Sequence, residues 1–198
     1  GGLGCPAATS LVAAGIGTLN IIDGDTVDLS NLHRQHLYQA GDIGKEKVSV
    51  AKRALENISS HTKINSFNNF LNQSNAKSCF ENIDLIIDAT DNIVSRQIID
   101  KVSKDKNLPM IYGSLYKFEG QVGVFNTKGK IGYADLFRGN ISGGKTCEEA
   151  GVIGMLPSII GNMQALEAIK LILNLEPNLI GRLLIYDGLQ HTAEVIEL

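Results

Sequence analysis

Gly1-Gly2-Leu3-Gly4-Cys5-Pro6-Ala7-Ala8-Thr9-Ser10-Leu11-Val12-Ala13-Ala14-Gly15-Ile16-Gly17-Thr18-Leu19-Asn20-Ile21-Ile22-Asp23 is the stretch on which the fold turns. Glycines at 1, 2 and 4 precede a run from Ala7 to Ala14 that reads as a helix. Gly15-Ile16-Gly17 ends it, and Thr18 to Asp23 reads as a buried strand. A glycine loop ahead of a helix lets phosphate approach the backbone, and the helix N-terminus supplies amide donors. The loop is incomplete, and by itself it also suits a helix-start turn in some other α/β protein. Asp23 narrows the choice. It ends the strand nineteen positions after Gly4, where a carboxylate takes the ribose hydroxyls of an adenosine. The pair points to an adenine nucleotide without saying which one.

Outward from this stretch, strand-like and helical runs alternate, the pattern of an α/β fold. Lys45 to Ile58 predicts a helix with Val48, Ala51 and Leu55 on its inner face. Thr62 to Phe70 is a weaker strand and Asp84 to Asp88 another. Asn92 to Lys104 follows as a helix with Val94, Ile98 and Val102 aligned, and Leu108 to Tyr112 as a further strand. Gln121 to Asn126 alternates like an antiparallel partner, and Thr127 to Ala150 is Gly-rich and polar, a long crossover loop. Pro157 opens a helix to about Leu175 with a stripe of Ile159, Met163, Leu166, Ile169 and Leu173, and Arg182 to Asp187 closes the pattern as a strand. The expectation is a single domain over 1–198. Its Rossmann-like sheet is mostly parallel, with antiparallel strands in the C-terminal half. The strand that should lead into the glycine loop, and the loop's first glycine, are missing from the sequence, which does not begin with Met and reads as a fragment.

Composition sets bounds. The chain has 198 residues, 43% of them hydrophobic, and a formal net charge of −3. That is enough for one domain with a sizeable core. No Lys/Arg run supplies the phosphate contacts of a nucleic-acid binder, and no apolar run reaches the roughly 20 residues of a membrane span. Cys5, Cys79 and Cys147 are odd in number and far apart, which suits free thiols in a reducing, cytoplasmic setting. The four histidines have no metal-ligand spacing.

The segment after Asp23 reads Gly24-Asp25-Thr26-Val27-Asp28-Leu29-Ser30-Asn31-Leu32-His33-Arg34-Gln35. Hydride transfer needs nothing so polar there. Adenylation does: a carboxylate attacks the α-phosphate, pyrophosphate leaves, and cations must hold the chain of phosphates. Arg34 offers a bidentate fork and Lys47 a second cation near a helix start. Solvated surface charge is the plain alternative for both. Thr90-Asp91-Asn92 follows a strand end, where α/β proteins bind ligands, and Asp91 could hold Mg²⁺ against phosphates. Asp or Asn there could equally cap the next helix.

Taken together, GGLGC, DGDTVDLSNLHRQ, the Lys47 region, DATDN, TCEEAGV and MQALEAIKLI resemble the ThiF/MoeB/HesA family, bacterial relatives of ubiquitin-activating enzymes. The resemblance covers nearly the whole chain in order. It implies a homodimeric domain that uses Mg-ATP to adenylate the C-terminal glycine of a ubiquitin-like sulfur carrier, ThiS- or MoaD-like, with a Gly-Gly end, in thiamine or molybdopterin synthesis, with a sulfurtransferase as a further partner. It implies Gly2 and Asp23 on the nucleotide, Ser30, Asn31, Arg34 and Lys47 along the triphosphate, and Asp91 at the metal and reaction centre beside Asn92, with Arg96 as a buttress. Cys147 resembles the family's loop cysteine, which in some members does thiol chemistry with the carrier; Lys145 would lower its pKa, whereas Glu148 and Glu149 would raise it. Gly132 and Asp135 stand where many members carry a zinc-binding Cys-x-x-Cys, so no zinc is expected and something else must hold the loop. Two other readings stand beside adenylation: a non-catalytic carrier- or nucleotide-binding scaffold, and an NAD-dependent oxidoreductase sharing the nucleotide loop.

Overall fold

The structure is a computed structural model and describes residues 1–127, 129, 131–137 and 153–198. The opening stretch gives the expected helix and strand, the helix starting three residues earlier than its pattern suggests. Helix α1 (Gly4–Ala13) buries Cys5, Ala7, Ala8, Leu11 and Val12. It ends where Gly15 takes φ +86°, a left-handed turn that a side chain would strain. Strand β1 (Thr18–Ile22) then pairs in parallel with β2 (Lys63–Phe67). The Asp23 amide donates to the Phe67 carbonyl at 3.2 Å, so Asp23 sits at the strand's end.

Helix α2 (Lys47–Glu56) starts two residues later than its pattern suggests. Residues ahead of it are taken up in a bridge from Thr26 to Glu46, and the Lys47 amide donates to the Asp25 carbonyl at 2.9 Å. Val48, Ala51 and Leu55 are buried, as the stripe requires. A short helix that the pattern did not show, α3 (Ala76–Cys79), precedes β3 (Ile86–Asp88). Helix α4 (Ile93–Lys106) ends at Asn107 in the left-handed region, φ 53°.

The inner face of α4 differs from the expected stripe. Val94 is 68% exposed, and the buried residues are Arg96, Ile99, Asp100 and Ser103. Three of these four are polar, so the hydrophobic stripe found only part of the inner face: Ile98 and Val102 are half-buried and pack on the core. Strand β4 (Met110–Tyr116) runs parallel to β3 and antiparallel to β5 (Glu119–Phe125). Helix α5 (Tyr133–Leu136) lies inside the stretch read as loop.

Helix α6 (Met155–Ile172) begins two residues before Pro157. Its expected stripe is rotated: Leu166 and Leu173 are exposed, whereas Leu156, Pro157, Ile160, Gly161, Gln164, Ala165, Glu167 and Ala168 are buried. The helix is apolar on most sides, so periodicity does not pick its inner face. Strand β6 (Arg182–Asp187) pairs antiparallel with β5 and with β7 (Thr192–Glu197), a strand absent from the sequence reading.

The sheet orders are β1-β2 and β3-β4-β5-β6-β7. Parallel pairing lies in the N-terminal half and antiparallel pairing in the C-terminal half, as expected. With β7 added, three of the five ladders are antiparallel. Among the described residues β1 pairs only with β2, and β3 only with β4. An apolar slot lined by Leu11, Leu19, Ile21, Leu85 and Ile87 belongs to one large cavity there. Helices α1 and α6 bridge the two sheets. They touch so closely that a Cβ on Gly161 would lie 2.4 Å from the Leu3 carbonyl oxygen. The main core packs α1 and α6 on β4 and β5 through Leu11, Ile111, Val122, Val124 and Ile160.

Candidate active site

Four polypeptide segments converge on one cavity of about 1650 Å³, larger than a typical ligand pocket because it runs on into the slot between β1 and β3. The glycine loop forms one wall. A Cβ on Gly2 would meet Pro157 at 3.2 Å and the Arg34 side chain at 3.6 Å, so only a glycine leaves the loop this close to both. Asp23 stands at the strand end, its Oδ1 accepting from the Asp25 amide at 3.0 Å.

The second wall is the turn after Asp23. Asp28 caps a 3₁₀ turn over Leu29–Asn31: its Oδ1 accepts from the Ser30 amide at 2.8 Å, and the Asn31 Oδ1 accepts from the Asp28 amide at 3.3 Å. This reciprocal cap satisfies donors that would otherwise be orphaned. The Ser30 hydrogen bonds hold the Asp28 carboxyl below its ordinary value. Arg34 follows one turn later and folds back, its guanidinium donating to the Ser30 carbonyl at 2.8 Å and lying 3.4 Å from His33 Nε2. Arg34 is half-buried.

Lys47 is not the solvated charge that the plain alternative requires. It is 5% exposed and opens α2, the end at which the helix dipole is positive and a cation is disfavoured. Its Nζ is held by the Asp25 Oδ2 at 2.9 Å. The Lys47 ammonium is thus held in the cavity wall by an exposed carboxylate, at a helix end where the dipole gives it no support. Asp25, which lines the cavity and pairs with Lys47, is the site residue that sequence reasoning passed over. The signal was its place in Asp23-Gly24-Asp25, but nothing in the sequence connects it to Lys47, twenty-two residues on.

The third wall is Thr90-Asp91-Asn92. The structure gives the helix cap to Asn92 and leaves Asp91 out of it. Asn92 caps α4, its Oδ1 accepting from the Ser95 amide at 2.8 Å, while Asp91 is exposed on the cavity wall, 3.5 Å from the Asn92 amide nitrogen. Beneath them Arg96 donates to the Asp88 carboxylate at 2.7 Å and to the Thr90 and Gly113 carbonyls at 2.8 and 3.0 Å. Burial works against the guanidinium's charge, but Asp88, Tyr112 and Tyr133 together outweigh it, so the Arg96 pKa is raised.

Gly2, Asp23, Ser30, Asn31, Arg34, Lys47, Asp91 and Asn92 thus all line the same cavity. Cys147 lies outside the described residues. Cys5 and Cys79 are buried free thiols. Where a Cys-x-x-Cys pair was compared with Gly132 and Asp135, the start of α5 is held by carboxylates. Asp135 accepts from the Gly132 amide at 3.2 Å, and buried Asp100 accepts from the amides of Tyr133 and Ala134 at 3.0 and 3.3 Å and from the Asn126 side chain at 2.9 Å. Among the described residues no group of three or more His, Cys, Asp or Glu side chains could hold a metal, and no helix is long and apolar enough to cross a membrane.

A family model described as the ThiF family matches residues 1–198. The chain is 43% identical over 198 residues to a probable molybdopterin-synthase adenylyltransferase of Porphyra purpurea, covering 98% of this chain and 52% of that protein. It is 37% identical over 197 residues to a sulfur carrier protein adenylyltransferase of Thermus thermophilus, covering 96% and 73%. Among solved structures, PaaA superposes with a TM-score of 0.83 at 28% identity, over all of this chain and 61% of that one. The chain therefore spans about half the length of one curated relative and about three quarters of the other.

Proposed function

The chain belongs to the ThiF family, and from that premise we propose that it binds ATP and adenylates the C-terminal glycine of a ubiquitin-like sulfur-carrier protein. The observation that carries this reading is the buried Lys47, opposed by Asp25 and sharing its cavity with Arg34, Asp23 and Asp91. Two cations and two carboxylates around one cavity suit a nucleoside triphosphate better than a dinucleotide, whose reactive ring needs neither cation.

In this reading Asp23 takes the ribose hydroxyls, and the backbone around Gly2 lies against the phosphates where a side chain would block them. Arg34 is fixed in direction by its bond to the Ser30 carbonyl, and Ser30 and Asn31 complete that wall. Lys47 exchanges its contact with Asp25 for phosphate oxygens. The carrier's terminal carboxylate attacks the α-phosphate, the bond to the bridging oxygen breaks, and pyrophosphate leaves. Arg34 and Lys47 neutralise the negative charge that builds on it. The Asp91 carboxylate, left out of the helix cap, fits a hard cation such as Mg²⁺, which would supply further charge neutralisation at the phosphates. Asn92 keeps the turn closed beside it. Because the scaffold is already assembled around the charges, catalysis rests on positioning rather than on covalent participation.

The name borne by the Porphyra relative favours a MoaD-like carrier and molybdopterin synthesis over a ThiS-like one and thiamine synthesis. A homodimer, a sulfurtransferase partner acting after adenylation, a thiol role for Cys147, the absence of zinc and a cytoplasmic location complete the proposal. The test is exchange of labelled pyrophosphate into ATP by the intact protein, with carriers ending in Gly-Gly and with carriers lacking the last glycine. Exchange dependent on the intact tail supports the reading. Calorimetric binding of NAD without binding of ATP refutes it.

A further inference from the structure

Gln164 lies in the middle of α6, is wholly buried, and is not part of the cavity wall. Its Nε2 donates to the Asp88 carbonyl at 2.8 Å and to the Ile111 carbonyl at 3.2 Å. Its Oε1 is buried without a hydrogen-bond partner. A buried amide with an orphaned acceptor is a poor choice for stability alone, since an apolar side chain of the same length would fill the space without it. Gly113 makes room for it: a Cβ there would lie 2.5 Å from the Gln164 amide carbon. Two residues, on different elements, are thus shaped around one donor.

What that donor grips is the last residue of β3, from which Thr90 and Asp91 spring. The same residue is gripped on its side chain by Arg96 of α4, whose guanidinium also takes the Thr90 and Gly113 carbonyls. Asp88 in turn accepts from the Thr90 amide and hydroxyl at 3.0 and 2.6 Å. The base of the Asp91 turn is therefore clamped through its backbone by α6 and through its side chain by α4.

We infer that Gln164 is a positioning residue for Asp91: its bond to the Asp88 carbonyl fixes where the turn carrying that carboxylate leaves the sheet. The inference rests on the adenylation reading for its catalytic consequence, but not for its structural one. Gln164→Met keeps length and burial and removes the donor.

The experiment combines three measurements on the intact protein. Gln164→Met should melt within a few degrees of the parent, yet lose about a hundredfold in the turnover of pyrophosphate exchange, with the KM for ATP little changed. Hydrogen exchange should quicken at the amides of Thr90, Asp91 and Asn92 while the amides of α6 keep their protection. Should Gln164→Met fail to fold, Gln164→Asn withdraws the donor while keeping the amide, and the same local quickening is expected. Unchanged hydrogen exchange at the Asp91 turn, loosening spread evenly over α6 and β4, or an unchanged turnover in a folded variant would each overturn the inference. If the parent catalyses no pyrophosphate exchange, the adenylation reading fails, and the hydrogen-exchange result still decides the role of Gln164.

Discussion

Replacing Arg96 with methionine removes one cation and exposes how much of the Asp91 turn depends on it. Arg96 donates to three acceptors within 3.0 Å, and its partner Asp88 is fully buried. The guanidinium also lies 4.8 Å from the centre of the Tyr112 ring. An exposed ion pair would be worth about 0–1 kcal/mol. Here the loss leaves a carboxylate and two carbonyls without the cation that faced them, and breaking a buried pair costs about 3–5 kcal/mol. For a chain of this length that lowers the melting midpoint by about 10 °C. The assay is urea unfolding followed by circular dichroism, on Arg96→Met, Asp88→Leu and the double variant. The double variant should be less destabilised than the sum of the singles, because neither charge is then left alone. A single variant within about 1 kcal/mol of the parent, or strictly additive losses, would refute the reasoning.

Asp91→Ala should abolish carrier-dependent pyrophosphate exchange in a folded protein, whereas Cys147→Ala should leave it largely intact and impair only a later sulfur-transfer step; equal losses measured by the exchange assay would reverse that order. Metal analysis of the purified protein should find no stoichiometric zinc, since the α5 start is held by Asp135 and Asp100 instead; about one zinc per chain would show that other ligands do the work. The Lys45 ammonium, with the Gln39 amide and Arg53, holds the Asp42 carboxyl below its ordinary value. A depressed folded pKa gives stability that is present above the unfolded value and lost as pH falls through the folded one. Asp42→Asn should therefore be less stable than the parent at neutral pH, and the gap in urea midpoint should close below about pH 4; a gap constant to pH 3 would contradict this.

The glycine loop, α1, β1 and Asp23 were legible because each local signal agreed with the fold: glycines at a helix start, a glycine at its end, an apolar run closed by an acid. Helix α2 was legible for the same reason. Helix α4 was legible in its extent but only partly in its inner face, since Arg96, Asp100 and Ser103 turn inward to bind Asp88, the start of α5 and the Leu108 carbonyl. A hydrophobic stripe cannot show a face whose burial is compensated by long-range hydrogen bonds. Strand β7 has every residue exposed, so it lacks the alternation that marks a half-buried strand. At the site, the residue types of Arg34, Lys47 and Asp91 could be read, but not the burial of Lys47 or its grip on Asp25. Those come from a turn that brings residues 25 and 47 together.

The site draws its charges from distant parts of the chain, and this has a thermodynamic consequence. Asp23, Arg34 and Lys47 stand around β1 and the start of α2, and Asp91 follows β3. A molecule held at once by Asp23 and Asp91 ties these elements together, so its binding energy adds to the stability of the folded domain. By mass action, occupancy of the site and integrity of the domain rise and fall together.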